Sequence, residues 1–166
     1  MLSMNLKSLL SSHDMELLNE AAQHELYASN YYKYVAACMQ RAGLFGAQKF
    51  FEKESGDEIE HYYLLRDFVN DMGSEIETPA IDEPKSLKED DCLKCVLEAA
   101  YQLELELYEF YSKFYTTAKA PAVQVALIDF VNIQRKSVGE YGDLLARFAK
   151  ASDILIFDKE LGKLAK

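Results

Sequence analysis

The sequence predicts an all-α fold, a four-helix bundle with one long crossover and a short fifth helix, and three observations carry that expectation. Four long stretches repeat apolar residues every three or four positions, the spacing of one helical face. Only seven Gly and three Pro occur in 166 residues, which leaves little room for the turns of an all-β fold. Two of the three links between the stretches are short, and the third is long. At 18.9 kDa the chain is long enough for one compact domain and too short for two. Residues 1–166 therefore read as a single domain, with the bundle over about 14–149.

The first helix is expected from about Asp14 to Arg41, with Ser12 or His13 near its start and Gly43 just past its end. Its inner stripe reads Leu18, Ala21, Ala22, Glu25, Ser29, Tyr32, Val35, Ala36 and Met39. The second spans about Phe45 to Met72 and stops at Gly73, with Phe51, Glu54, Glu58, His61, Leu65, Phe68 and Met72 facing inward. The period is then lost, because residues 74–85 (SEIETPAIDEPK) hold two prolines and read as an extended connection. Ser86 to Glu89 has the form of a capping box opening the third helix. That helix has the stripe Leu93, Leu97, Ala100, Tyr101, Glu104, Tyr108, Tyr111 and Tyr115. A break at Ala118 to Ala120 precedes Pro121, a residue favoured in a first helical turn. The fourth helix then carries Val123, Leu127, Phe130, Val131, Gln134, Val138, Tyr141, Leu145 and Phe148. Ser152 or Asp153 is placed to cap a last helix over about 152–164.

Link length sets the topology. Helices joined by a few residues must form antiparallel hairpins. The long link differs, since some fifteen extended residues reach about 50 Å at roughly 3.3 Å each. A helix of about 28 residues is only about 42 Å long. The link can travel the whole bundle and start the third helix parallel to the second.

Net charge of −10 and a pI near 4.8 exclude the basic face of a nucleic-acid binder and suit a protein that attracts cations. No stretch approaches a membrane span, and the first residues lack an apolar core followed by a cleavage site, so a cytoplasmic protein is expected. Cys38, Cys92 and Cys95 are an odd set, and Cys92-x-x-Cys95 has no second pair to complete a zinc site. They read as reduced helix cysteines.

Each of the four stripes carries a polar residue where an apolar one belongs: Glu25, the pair Glu58 and His61, Glu104, and Gln134. Isolated carboxylates are rarely buried, because desolvation costs several kcal/mol unless a cation or dense hydrogen bonding compensates. A divalent metal is the simplest partner for three of them. Glu58-x-x-His61 puts a carboxylate and an imidazole on one helical face, and a Glu from each of two further helices is the recipe of a di-metal bundle. Oxygen-rich ligands with one imidazole suit iron, manganese or zinc. A pair bridged by Glu58 would use Glu25 and His61 on one metal and Glu104 on the other, and such a pair can pass two electrons to dioxygen or peroxide. Tyr32, seven residues after Glu25, faces the same way and is either packing or part of the chemistry. Gln134 is either a metal ligand or a core amide. Glu54 lies nearer the bundle end and is expected to be solvated or a secondary cation contact.

With those residues in place the chain resembles the non-haem ferritins over nearly its whole length. The matching stretches are residues 19–29 (NEAAQHELYAS), Asp57-Glu58-Ile-Glu-His61, Tyr101-Gln-Leu-Glu104, Asn132-Ile-Gln134 and Phe157-Asp-Lys. The resemblance implies a ferritin-like fold and a ferroxidase centre of H-type made by Glu25, Glu58, His61, Glu104 and Gln134, with Tyr32 beside it. It further implies a hollow homo-oligomer of twenty-four subunits that oxidises Fe(II) and stores ferric mineral. Bacterioferritins and rubrerythrins carry a second Glu-x-x-His in the fourth helix, where this chain has Gln134 and Ser137. Ile133, Lys136 and Ser137 also stand where many bacterial ferritins place glutamates for a third iron, leaving Asp57 and Glu60. The positions lining the acidic three-fold channel of animal ferritins fall at about Gln124 and Leu127, so iron is expected to arrive by another path, between helices near the site. Two other functions compete on the same scaffold: a di-iron peroxidase or oxidase with a permanent metal pair, and a non-catalytic metal-binding cage subunit.

Overall fold

The computed structural model describes residues 7–87 and 92–165. Those residues form five helices and no strand: α1 (Ser12–Arg41), α2 (Phe45–Asp71), α3 (Leu93–Thr117), α4 (Pro121–Phe148) and α5 (Ile154–Lys163). The first four are the expected bundle, in the ferritin-like arrangement. Among the described residues no helix is long and apolar enough to cross a membrane.

Hydrogen bonds define the helix ends. Ser11, one residue before the expected cap, accepts the Asp14 amide at 3.0 Å and starts α1. At the other end Gly43 takes φ +76°, and the pair Gly43 N–H to Gln40 and Leu44 N–H to Met39 closes a Schellman stop. The same device ends α2, where Gly73 takes φ +79° and donates to Asn70 while Ser74 donates to Val69.

The long connection climbs α1 rung by rung. Glu77 N–H bonds the Asn19 side chain at 2.9 Å, Gln23 reaches the Ala80 carbonyl at 3.5 Å, and Lys85 and Leu87 N–H meet the hydroxyls of Tyr27 and Tyr34 at 3.3 and 3.0 Å. Because the partners rise steadily along α1 while α2 descends, α3 begins at the top of the bundle and runs parallel to α2. The same bonds keep Ser86 and Leu87 extended, and the expected capping box does not open the helix there: α3 starts at Leu93, with Cys92 at its cap. Lys88 and Glu89 lie outside the described residues.

Two buried aspartates fasten the bundle ends. Asp14 accepts the amides of Lys119 and Ala120 at 2.8 and 2.9 Å, fixing the start of α4 against the start of α1. Asp153 caps α5 as expected, and Asp158 of that helix caps α2, accepting from Gly46 and Ala47 at 2.9 and 2.7 Å. Gly46 is required there, since a Cβ would lie 1.8 Å from the Asp158 carbonyl oxygen.

The inward face of α1 follows the expected stripe, whereas on α2 Ser55 and Val69 are buried next to Glu54 and Phe68, which were expected there. α1 meets α2 closely through Ser29 and Ser55, whose hydroxyls donate to each other's backbone carbonyls at 2.9 and 3.0 Å. On α3 the buried face is displaced by one position: Leu107 and Phe114 point inward where Tyr108 and Tyr115 were expected, and Tyr115 is exposed. On α4 Leu144 is buried in place of Leu145.

Candidate metal centre

Glu25, Glu58, Glu104 and Gln134 each lie within about two residues of the middle of their helix, so the bundle brings all four to one height. All are buried. One turn beyond Glu58, His61 keeps 14 % of its side chain exposed, and its Nδ1 lies 3.0 Å from Glu58 Oε2 and 3.4 Å from Glu25 Oε2. Donor atoms of Glu25, Glu58 and His61 lie within 4.8 Å of one another, close enough to share one ion.

Two tyrosines hold the outer carboxylates. Tyr32 on α1 donates to Glu104 Oε1 on α3, and Tyr111 on α3 donates to Glu25 Oε1 on α1. Each tyrosine stands seven residues after the glutamate of its own helix, so the two helices exchange donors reciprocally. Tyr32 was expected beside the centre, whereas Tyr111 was read only as a core residue; the repeated Glu-x6-Tyr spacing was the available signal. Gln134 and Tyr141 on α4 repeat it once more, and Tyr141 donates to Glu54 at 3.0 Å. Glu54 is therefore half-buried and hydrogen-bonded, which removes the solvated position, one of the two alternatives expected for it.

Several atoms have no such partner. Glu25 Oε2, Glu104 Oε2 and both polar atoms of the Gln134 amide are buried without a hydrogen bond among the described residues. Buried orphans of this kind are costly, since each forfeits about 1–3 kcal/mol of solvation. A cation near these oxygens would satisfy them, and the donor set of Glu25, Glu58 and His61 fits a metal ion.

The metal-free centre compensates with protons. Burial, then the charge of Glu25, pushes Glu58 well above the ordinary carboxylate range. Burial also lifts Glu104 to about 8 and Glu54 to about 7. For Glu25, burial is outweighed by His61 and by the shared proton of Glu58, and the net direction is downward. Burial opposes the charged form of His61, but bonds to Glu25 and Glu58 prevail and raise it to about 11. Burial and these contacts thus favour the ionised form of Glu25 and the charged form of His61, and the protonated forms of Glu58 and Glu104 beside them.

A pocket of about 290 Å³ lies between α2 and α4 and touches Glu58 and His61 on one wall. Its other lining residues include Lys53, Asp57, Glu60, Lys136 and Glu140. Asp57 is paired with Lys53 and Glu60 is exposed, and both line this pocket beside Glu58 and His61. Leu127, expected at a channel position, is 1 % exposed and belongs to the core, while Gln124 is half-buried and bonds the Ala118 carbonyl.

A family model described as a ferritin-like domain matches residues 15–151. A protein named ferritin from Pacifastacus leniusculus is 33 % identical over 158 residues, covering 89 % of this chain and 87 % of its own length. A bacterial non-heme ferritin of Staphylococcus aureus is 26 % identical over 164 residues, covering 93 % and 96 %. Among solved structures, an open pore ferritin from the hyperthermophilic archaeon Archaeoglobus fulgidus superposes with a TM-score of 0.87 over 92 % of this chain and 97 % of that one. At 23 % identity that likeness speaks for the fold alone.

Proposed function

This chain belongs to the ferritin family, and from that premise we propose that it is an iron-storage ferroxidase, taking Fe(II) as substrate at a paired site within each subunit and storing the product as ferric mineral inside a cage. The observation that carries the reading is the convergence of Glu25, Glu58 and His61 at mid-height, beside buried oxygens of Glu104 and Gln134 that have no hydrogen bond among the described residues. Glu25, Glu58 and His61 hold one iron, Glu58 bridges, and Glu104 with Gln134 holds the other. Tyr32 and Tyr111 fix the rotamers of Glu104 and Glu25, so both carboxylates present a free oxygen inward.

Binding exchanges protons for metal. Glu58 and Glu104 give up their protons and His61 loses its charge as Fe(II) arrives. Two Fe(II) then lose one electron each. Dioxygen with two protons leaves as hydrogen peroxide, or peroxide with two protons leaves as two waters. The pocket between α2 and α4 supplies a path to the centre, with the partly exposed His61 at its inner end.

In this reading the chain assembles into a hollow shell of about twenty-four copies, and exposed Val125, Ile128, Leu155 and Ile156 offer apolar surface for contacts between copies. Gel filtration and stopped-flow oxidation test the reading together. Particles of cage size should oxidise about two Fe(II) per chain in a fast phase and many more slowly. Glu58→Ala and His61→Ala should remove the fast phase while the particle stays assembled, and a fast phase that survives both substitutions would place the chemistry elsewhere.

A further inference from the structure

The metal centre leaves one cluster of nucleophilic groups unused, the pair Cys92 and Cys95 at the top of α3. Cys92 is the N-cap of that helix, with extended backbone at φ −89° and ψ 167°, and Cys95 is its third residue. Their sulfurs lie 3.2 Å apart. Cys92 is exposed, whereas Cys95 is half-buried, so an incoming reagent meets Cys92 first. The turn between them is anchored, because Leu93, Val96 and Leu97 are all in the core.

The Cys92 sulfur faces the amide of Cys95, the Cys95 thiol and the amide of Lys94, and these hold its thiol below the ordinary range. Positive partial charge at a helix start favours a thiolate for the same reason it favours any anion. The Lys94 ammonium, paired with Glu98, also feels both sulfurs. The third cysteine, Cys38, sits on α1, half-buried against the core, and takes no part in the pair.

We propose that Cys92 and Cys95 form a redox-active dithiol that exchanges with low-molecular-weight disulfides, Cys92 attacking and Cys95 resolving. In the first step the Cys92 thiolate bonds to one sulfur of the disulfide R–S–S–R, whose S–S bond breaks and releases one thiolate. Cys95 then loses its proton and attacks the Cys92 sulfur, releasing the second R–S⁻ and closing the Cys92–Cys95 disulfide. The small disulfide gains two electrons and the protein loses two. Residues one helical turn apart suit this closure, since their Cβ atoms stand about 5–6 Å apart and need only a small approach. The proposal does not depend on iron, and failure of the ferroxidase reading leaves it intact.

The test uses the assembled protein with Cys38→Ser as background, oxidised glutathione as probe and intact-mass spectrometry as readout. The parent should lose two hydrogens and carry no glutathione. Cys95→Ser should gain one persistent glutathione on Cys92, at a rate within about threefold of the parent's first step. Cys92→Ser should react at least about tenfold more slowly, having lost the activated thiolate. A parent that does not react, that carries glutathione on both sulfurs, or whose two single variants react at equal rates would overturn the proposal. Serine at either position suits a first helical turn, so both variants are expected to keep the fold.

Discussion

The two halves of the candidate centre share a buried glutamate but differ in their other groups, an imidazole and a second carboxylate on one side and an amide on the other. On the α1 and α2 side, Glu25, Glu58 and His61 lie within reach of one another, and imidazole and carboxylates compensate each other's charge. On the α3 and α4 side, Glu104 has only the Tyr32 hydroxyl, and Gln134 has no hydrogen bond among the described residues. The first half is a compact cluster of two carboxyl groups and an imidazole, whereas the second is a neutral amide and a largely protonated carboxyl. Two metals bound there would be held unequally. That inequality suits iron that is cargo, because a loosely held ion can move on once oxidised.

The largest expected effect comes from the residue shared by both halves. Glu58→Ala removes the bridge and should slow the fast oxidation phase by about 100-fold or more, measured by stopped-flow absorbance. Next comes the contrast between His61→Ala and Gln134→Ala. In anaerobic titrations with Fe(II), the first should weaken the tighter binding step by about 100-fold and the second should weaken only the looser one, by about tenfold. Equal losses in both steps would erase the distinction between the halves.

Proton occupancy offers a test without oxidation. Glu58, Glu104 and Glu54 are raised above their unfolded values, so the folded protein binds more protons and its metal-free stability falls as pH rises from about 4.5 towards 8. His61, raised to about 11, adds a loss that begins near its unfolded value of 6.5 and continues to that point. Melting of the metal-free protein should therefore drop between pH 6 and 9, and a bound divalent cation should offset the drop while releasing protons into weakly buffered solution.

The smallest effects belong to the exchanged hydroxyls. Tyr32→Phe and Tyr111→Phe each leave a buried carboxyl oxygen unbonded and should cost about 1–3 kcal/mol of metal-free stability by denaturant unfolding. Each should act mainly on the half of the centre whose carboxylate it holds.

Much of this could be read from residue order. The inward face of α1 follows from helical period alone, and all five ligand-type residues stand at the mid-height that connection length and helix length imply. Errors arose where neighbouring residues compete for one place. On α3, Leu107 adjoins Tyr108 and Phe114 adjoins Tyr115, so either of two faces satisfies the period. The core takes Leu and Phe, because a tyrosine hydroxyl at the rim can meet water. Long-range partners are less legible. Nothing local in Asp158 says that it caps a helix more than a hundred residues earlier, and the Glu-x6-Tyr spacing marks Tyr111 without naming Glu25 as its acceptor. The start of α3 was misjudged for the same reason, since Leu87 is held extended by a tyrosine of α1.

Anomalous scattering from crystals soaked anaerobically in graded Fe(II) tests the unequal pair most directly. The account predicts two iron peaks per subunit, the one among Glu25, Glu58 and His61 filling at lower concentration than the one beside Glu104 and Gln134. A single peak, peaks that fill together, or iron bound away from Glu58 would contradict it.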